Sequence, residues 1–351
     1  MKFYGISGVA NKLIESYLQN RYQRVIINAH NYTNTHFSAW KKIQNGVPQG
    51  SVLGPLLFLI YINDLPKCVS DKSSPLLFAD DTSFIIANRD ETKFKTYTTE
   101  IFTEINKWFY SNLLMLNYDK TYFMQFATKA DQEINMQVSF GDRKITTARS
   151  LKFLGLTTDT SLTWRHHITE LSSKLNKACY AIRIIKPFMS TEVLRSTYFS
   201  YVHSAISYGI IFWGNSSYSR EVFIIQKRIV RIIMNANKKA SCRQLFRDLN
   251  ILPVQSQYIL SILIFIAKNR DQFLSNKQVH KVNTRQTNDL YMPMANLSTY
   301  QKGAYYQGIK IYNHLPKAIK DLSENKNKFK LAVKKYLLNN SFYSLKEYFD
   351  A

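Results

Sequence analysis

Apolar residues recur at helical spacing from Ser7 to Gln19, with Ala10, Leu13, Ile14, Tyr17 and Leu18 on one face, so the sequence predicts an amphipathic helix. QRVIIN (23–28) reads as a strand. After a polar stretch, NGVPQGSVLGPLLFLIYINDLP predicts a Gly/Pro-rich loop around Gly46, Pro48 and Gly50. That loop feeds an apolar helix from about Ser51 to Ile62, closed by Pro66. LLFADDTSFII (76–86) is patterned as an apolar hairpin interrupted by two adjacent acids. A helix over 93–112 sets Ile101, Ile105, Trp108 and Phe109 on one face, TYFMQF (121–126) reads as another strand, and SLKFLGL (150–156) ends this half. Beyond Asp159 the texture changes to helix. Ile168, Leu171, Leu175, Ile182 and Ile185 line one face of a segment whose other faces carry Lys174, Lys177 and Arg183. VFIIQKRIVRIIM (222–234) and VQSQYILSILIFIAKN (254–269) continue that texture. The pattern is thus α+β first and mostly helical afterwards, with no fixed-period repeat or low-complexity tract.

Charge sharpens this division. The 351 residues carry 47 Lys and Arg against 24 Asp and Glu, a formal net charge of +23. Residues 1–150 hold 17 basic and 13 acidic residues, whereas 151–351 hold 30 and 11. A basic, aromatic-rich half points to a polyanionic partner, most simply nucleic acid, with a merely solvated basic surface as the competing explanation. Cys68, Cys179 and Cys242 are too far apart for a CxxC metal knuckle and are odd in number, which fits a reducing compartment. MKFYGISGVANK lacks a signal-peptide h-region, and the longest apolar runs fall short of the ~20 residues that span a bilayer. The expectation is an intracellular chain of the nucleus or cytoplasm, neither secreted nor membrane-bound.

The acid pair poses the chemical question. Adjacent carboxylates repel, and beside buried strands they are expensive unless paired or bound to a cation. Asp80 and Asp81 could simply satisfy a turn. At the tip of an apolar hairpin they could instead hold Mg²⁺, a hard cation that prefers oxygen ligands and keeps substrate phosphates in its shell. Two such ions activate the attacking oxygen and stabilise the leaving one in phosphoryl transfer. Upstream, Gly46 and Gly50 let backbone approach a ligand and Gln49 offers an amide, beside the amino end of a helix suited to phosphate.

Taken together, these stretches resemble the reverse transcriptases of non-LTR retrotransposons, of the jockey-like, LINE-type group. GVPQGSVLGPLLFLIYINDLP is similar to that family's motif B, which would set Gln49 and Gly50 near the incoming nucleotide and template base. FADD (Phe78, Ala79, Asp80, Asp81) resembles motif C, implying Asp80 as a direct metal ligand with Asp81 beside it and Phe78 and Ala79 on the nucleotide side. LNYDKT resembles motif D, where Lys120 would protonate the departing pyrophosphate. KFLGL resembles motif E, the primer grip, carried by Phe153, Leu154 and Gly155. LTWRHHITELSSKLNKACYAIRIIK resembles the thumb that follows, and YGIIFWGNSS, QKRIVRII and IYNHLP extend the likeness over nearly the whole chain. His166 and His167, with Glu170 one turn on, form at most a partial metal set and read better as helix-start or backbone-contacting residues.

The resemblance implies a partial right-hand polymerase palm over 1–160, a thumb over 161–190 and a basic helical carboxyl-terminal region over 191–351. It implies a two-metal Mg²⁺ site at Asp80 and Asp81 (Mn²⁺ serving in vitro), an RNA template, a DNA primer and dNTPs. The family's motif A supplies another aspartate from a strand upstream of FYGI, yet before Asp64 this sequence offers only Glu15, inside the first helix. A polymerase segment upstream is therefore expected to be missing, with the chain inactive alone. The rival readings are a non-catalytic nucleic-acid-binding remnant of such an element and a group II intron reverse transcriptase. A membrane-surface protein fits less well, because the cations are spread over many helices.

Overall fold

The computed structural model describes residues 1–28, 35–69, 71–127, 134, 136–280 and 289–351. They group into two compact units, Met1–Phe123 with Ile134–Thr146, and Met124–Glu133 with Thr147–Ala351. In chain order the first holds α1 (Gly8–Leu18), β1 (Tyr22–Gln23), β2 (Ile26–Asn28), β3 (Thr35–Phe37), β4 (Lys41–Lys42), α2 (Leu53–Ile62), β5 (Ser74–Phe78), β6 (Asp81–Ile85), α3 (Glu91–Ser111), β7 (Tyr122–Phe123), β8 (Ser139–Phe140) and β9 (Arg143–Lys144). The division falls within β10 (Thr146–Thr147).

The described sheet structure up to β10 is a set of short two-stranded pairs: β1 with β4, β2 with β3, β5 with β6 and β8 with β9 run antiparallel, and β7 pairs with β10. The expected strand over 23–28 is broken in two, and TYFMQF is extended only at Tyr122–Phe123. Helix α1 forms where the periodicity places it, yet none of its residues is buried. Helix α3 starts where Asp90 accepts the Lys93 N–H at 3.1 Å, and it buries Ile101, Ile105 and Trp108. The unit's interior is divided among small clusters. One joins Ile62, Leu65 and Trp108 to Phe58, Leu77 and Phe84, and so seats the β5–β6 hairpin on α2 and α3.

The second unit opens with the hairpin β11 (Ser150–Phe153) and β12 (Leu156–Asp159), then α4 (Arg165–Ile185). Further helices follow: α5 (Thr191–Thr197), a π-helical turn (Tyr198–His203), α6 (Ser204–Ser207), α7 (Ile210–Trp213), α8 (Ser219–Ile233), α9 (Arg243–Asp248) and α10 (Val254–Lys268). The carboxyl-terminal part adds α11 (Asn276–His280), α12 (Ser298–Lys302), α13 (Ala304–His314), α14 (Lys317–Lys320), α15 (Lys326–Asn340) and α16 (Leu345–Phe349). One continuous core runs from Ile168 of α4 to Tyr348 of α16. Residues on both sides of position 190 thus share one interior, and Leu156 and Trp164 pack against it, so the 150–159 hairpin groups with the helices. Helix α10 lies at the centre, with α6, α7, α8, α13 and α15 against it. Among the described residues no helix is long and apolar enough to cross a membrane.

Hydrogen bonds position α4 before it begins. The buried Asp159 carboxylate accepts the backbone N–H groups of Ser161 (3.2 Å), Thr163 (3.0 Å) and Trp164 (2.9 Å), and the Thr163 hydroxyl at 3.0 Å. In the first turn of α4, His167 is buried between Trp164 and Trp213, with Nδ1 facing the Thr157 N–H at 3.5 Å. It is a core residue that contacts backbone, as expected, and Glu170 accepts instead from the Thr157 hydroxyl at 3.0 Å.

Burial holds the His167 imidazole below its ordinary value of 6.5, with Glu170 pulling weakly the other way. Burial, then Lys334, does the same to His203. The unfolded chain therefore takes up protons just below 6.5 that the folded chain refuses, and stability falls as pH drops through that window. Thermal midpoints read by circular dichroism should decline between about pH 7 and about pH 5.5, as the unfolding free energy falls by at most about 1.4 kcal/mol per pH unit for each group. His167→Gln should flatten the profile. An unchanged slope would count against this origin.

Candidate active site and nucleic-acid interface

In the β5–β6 register, Ser74, Leu76 and Phe78 oppose Ile85, Ser83 and Asp81, and Pro75 and Leu77 oppose Phe84 and Thr82. Cross-strand partners share a face. Leu77 and Phe84 therefore point into the cluster beneath, while Phe78 and Asp81 lie on the outer face. Ala79 and Asp80 form the two-residue turn, and Ala79 adopts a left-handed φ of 52°. An alanine held there stores strain of order 1–3 kcal/mol, a feature concentrated at functional turns. Asp80 and Asp81 are both exposed, so the burial cost expected from their apolar flanks is not incurred. Both side chains are open to solvent at the hairpin's tip.

The Gly/Pro loop is locally built. Gly46 and Gly50 take left-handed φ values of 82° and 77°, with open space where a side chain would sit. The Ser51 hydroxyl donates to the Pro48 carbonyl at 2.7 Å and accepts the Gly54 N–H at 3.1 Å, so it occupies one of the amide groups at the start of α2. Arg21 donates to the Gly46 and Leu18 carbonyls, tying the loop to the end of α1. Gln49 is exposed. Helix α2 leads from this loop to the base of the hairpin, where its Phe58 and Ile62 join Leu77 and Phe84. Lys120 ends a 3₁₀ turn in which the Asn117 side chain accepts its backbone N–H at 3.2 Å. Next to it, Tyr118 donates to Asn106 of α3 and meets Phe102 edge-on.

Phe153, Leu154 and Gly155 belong to the second unit. Phe153 pairs with Leu156, and Leu154 and Gly155 form the turn with φ values of 44° and 83°. Tyr208 donates its hydroxyl to the Leu154 carbonyl, and a Cβ on Gly155 would lie 3.1 Å from that hydroxyl. Trp213, fully buried, donates Nε1–H to the Tyr208 carbonyl at 3.0 Å. The segment YGIIFWG is thus a core anchor whose tyrosine seats the KFLGL turn. From the sequence Tyr208 and Trp213 read as core residues or stacking platforms; Trp213 is core, whereas Tyr208 is exposed and seats the turn, and nothing in the sequence marks Gly209 or Asp159 for their roles. For the seating of the turn the only signal was the juxtaposition of a Tyr-Gly with a distant Leu-Gly turn, which becomes meaningful once the chain has folded.

For a metal, the donor set is suitable in kind. Two hard, exposed carboxylates match Mg²⁺, which is commonly held by one or two carboxylates with waters and substrate phosphates completing its shell. The number is short of a two-ion centre, since no group of three or more His, Cys, Asp or Glu is gathered anywhere among the described residues. Glu15 lies in α1 and accepts from Gln19 at 3.0 Å.

Paired carboxylates thus sit at a strained turn, on a hairpin packed against a helix that follows a glycine loop. Residues 5–158 match the reverse transcriptase (RNA-dependent DNA polymerase) family. The chain is 28% identical over 268 residues to a probable RNA-directed DNA polymerase from transposon BS of Drosophila melanogaster, covering 73% of this chain and 28% of that protein. It is 26% identical over 250 residues to the RNA-directed DNA polymerase from mobile element jockey of the same species, covering 68% and 26%. A probable RNA-directed DNA polymerase from transposon X-element is 25% identical over 250 residues, covering 69% and 27%. No solved structure matches significantly. The resemblance to non-LTR retrotransposon reverse transcriptases is borne out, and the chain spans little more than a quarter of these relatives' length.

The turn anchor can be tested directly. A Cβ on Gly209 would stand 2.6 Å from Leu156 Cδ2, at a backbone φ of 59°. Gly209→Ala should destabilise the chain by about 1–3 kcal/mol. Tyr208→Phe, which removes one hydrogen bond, should cost about 1 kcal/mol. Denaturant midpoints check both, and equal effects would refute the steric account.

Proposed function

We propose that this chain carries the metal-binding turn and the downstream nucleic-acid-binding helices of an RNA-directed DNA polymerase that extends a DNA primer on an RNA template. The observation that carries this reading is the exposed Asp80–Asp81 pair at a hairpin tip, Asp80 in the strained two-residue turn and Asp81 opening β6. Residues 1–160 correspond to part of the palm, 161–190 to the thumb and 191–351 to a basic carboxyl-terminal region. Asp80 and Asp81 would hold Mg²⁺, which when bound supplies positive charge to the oxygens of the reacting phosphate. Gln49 and Gly50 would face the dNTP and template base, with Phe78 and Ala79 flanking them. Lys120 would hold the proton destined for pyrophosphate, and the Phe153–Gly155 turn would support the primer end.

A further strand belongs in this reading. The β5–β6 pair is two-stranded among the described residues, a marginal arrangement by itself, and its outer face exposes Leu76, Phe78 and Ile85. A neighbouring strand paired along the hairpin's free edge would extend the sheet and could bring the third carboxylate that two adjacent residues cannot replace.

The chain 1–351, given Mg²⁺, dNTPs and a primed RNA template, should incorporate nothing above background. A chain extended upstream through an aspartate-bearing strand should synthesise DNA, and Asp80→Ala should return it to background. Robust extension by 1–351 would overturn the expected inactivity, and full activity of the extended Asp80→Ala variant would overturn the site. The competing remnant reading draws on the shortage of carboxylates and the basic second half. Failure of the extended chain to polymerise, with RNA binding intact, would favour it.

A further inference from the structure

Helices α9 and α15 of the second unit enclose a groove of about 370 Å³. On α15 its wall is the stripe Leu331, Lys334, Lys335, Leu338 and Asn339, which are neighbours on one helix face. Phe329, Val333 and Leu337 occupy the opposite, buried stripe and fix the helix's rotation. Arg247 and Asn250 form the other wall. Buried Phe246 and Leu249 hold that wall in place, with Arg195 donating to the Leu249 carbonyl at 2.6 Å.

Three cations therefore converge on a lining that contains no carboxylate. None of the three has an ion-pair partner among the described residues, whereas Arg243 nearby is paired with Glu347 at 3.2 Å and Lys320 with Asp289 at 2.9 Å. Asp248, beside Arg247, is engaged by Gln244 at 2.8 Å. Helix α15 carries five lysines and no acid, including the like-charged i,i+4 pairs Lys326–Lys330 and Lys330–Lys334, each of which costs a few tenths of a kcal/mol. The larger groove between α4 and α8, about 610 Å³, differs in kind, since Lys177 there faces Glu221.

From this arrangement we infer that the α9–α15 groove binds the phosphodiester backbone of a single nucleic-acid strand, as a contact outside the polymerase site. The inference rests on the polymerase reading for its choice of partner. Lys334, Lys335 and Arg247 would neutralise phosphates, Asn250 and Asn339 would reach sugar or base edges, and Leu331 and Leu338 offer apolar contact between them. The stripe from Leu331 to Asn339 is about 12 Å long, enough for a short run of one strand. A membrane surface fits less well, because the cations line a concavity and not a projecting apolar ridge.

The test compares the full chain with the variant Arg247→Gln/Lys334→Gln/Lys335→Gln and a charge-matched control, Lys12→Gln/Lys67→Gln/Lys302→Gln. Labelled single-stranded RNA and DNA oligonucleotides are titrated over a range of NaCl, and thermal midpoints confirm folding. The groove variant should lose at least about tenfold in affinity, and its salt slope should shrink by about 2, near 0.7 for each phosphate contact. A larger loss with RNA or with DNA identifies the strand that occupies the groove. The proposal is overturned if the groove variant matches the control, if the unaltered chain binds neither oligonucleotide, or if only binding to phosphatidylserine vesicles falls. Primer extension by the upstream-extended chain separates the two readings. Synthesis with an unaffected groove variant leaves the polymerase standing and removes the groove, and a weakened groove variant without any synthesis does the reverse.

Discussion

The burial of helix α10 constrains the rest of the second unit. Val254, Ile259, Ile262, Leu263 and Ile266 have essentially no solvent exposure, and even Ser256, Gln257 and Tyr258 on the same helix are buried. Each large apolar side chain removed from water contributes about 1.5–3 kcal/mol, so a helix covered on every side dominates the interior it occupies. The surrounding helices must turn their apolar stripes toward it. Gln226, caught inside, is fully engaged: it donates to the Tyr198 hydroxyl at 2.8 Å and the Leu252 carbonyl at 2.9 Å while accepting the Val254 N–H at 3.0 Å, whereas the buried Tyr258 hydroxyl meets no partner among the described residues.

That constraint organises the charge. Residues 151–351 carry 30 basic side chains against 11 acidic ones, and burial of the apolar stripes leaves the lysines and arginines only the outside. The result is grooves between neighbouring helices, and their character depends on what meets across them. Where α8 brings Glu221 to α4 the lining is mixed, and where α9 meets α15 it is purely cationic. Composition could indicate an affinity for polyanions, but not where on the surface it would be concentrated.

The first unit works on a different balance. Its interior is split among small clusters, and large apolar groups such as Phe78, Trp40 and Leu56 remain exposed. The hairpin that carries Asp80 and Asp81 is held from one side only, by Leu77 and Phe84. Packing on the inner face therefore sets where the turn points, and on the outer face Leu76, Phe78 and Ile85 stay exposed.

The sequence alone determined the elements with strong periodicity, α1, α3, α4, α8 and α10, because 3.6-residue spacing of apolar side chains is a local property. It also determined the acid pair in a hairpin and the reverse transcriptase family whose pattern residues 5–158 match, since both reside in contiguous runs. The broken strand over 23–28 and the abbreviated one at Tyr122–Phe123 escaped it, because strand length depends on partners distant in sequence. Only the tertiary structure decided that KFLGL is seated by Tyr208, that Asp159 organises the entry to α4, and that Arg247 meets Lys334 and Lys335 across a groove. Those contacts join residues from separate elements, and what places them side by side is burial of the core between them, which no local spacing encodes.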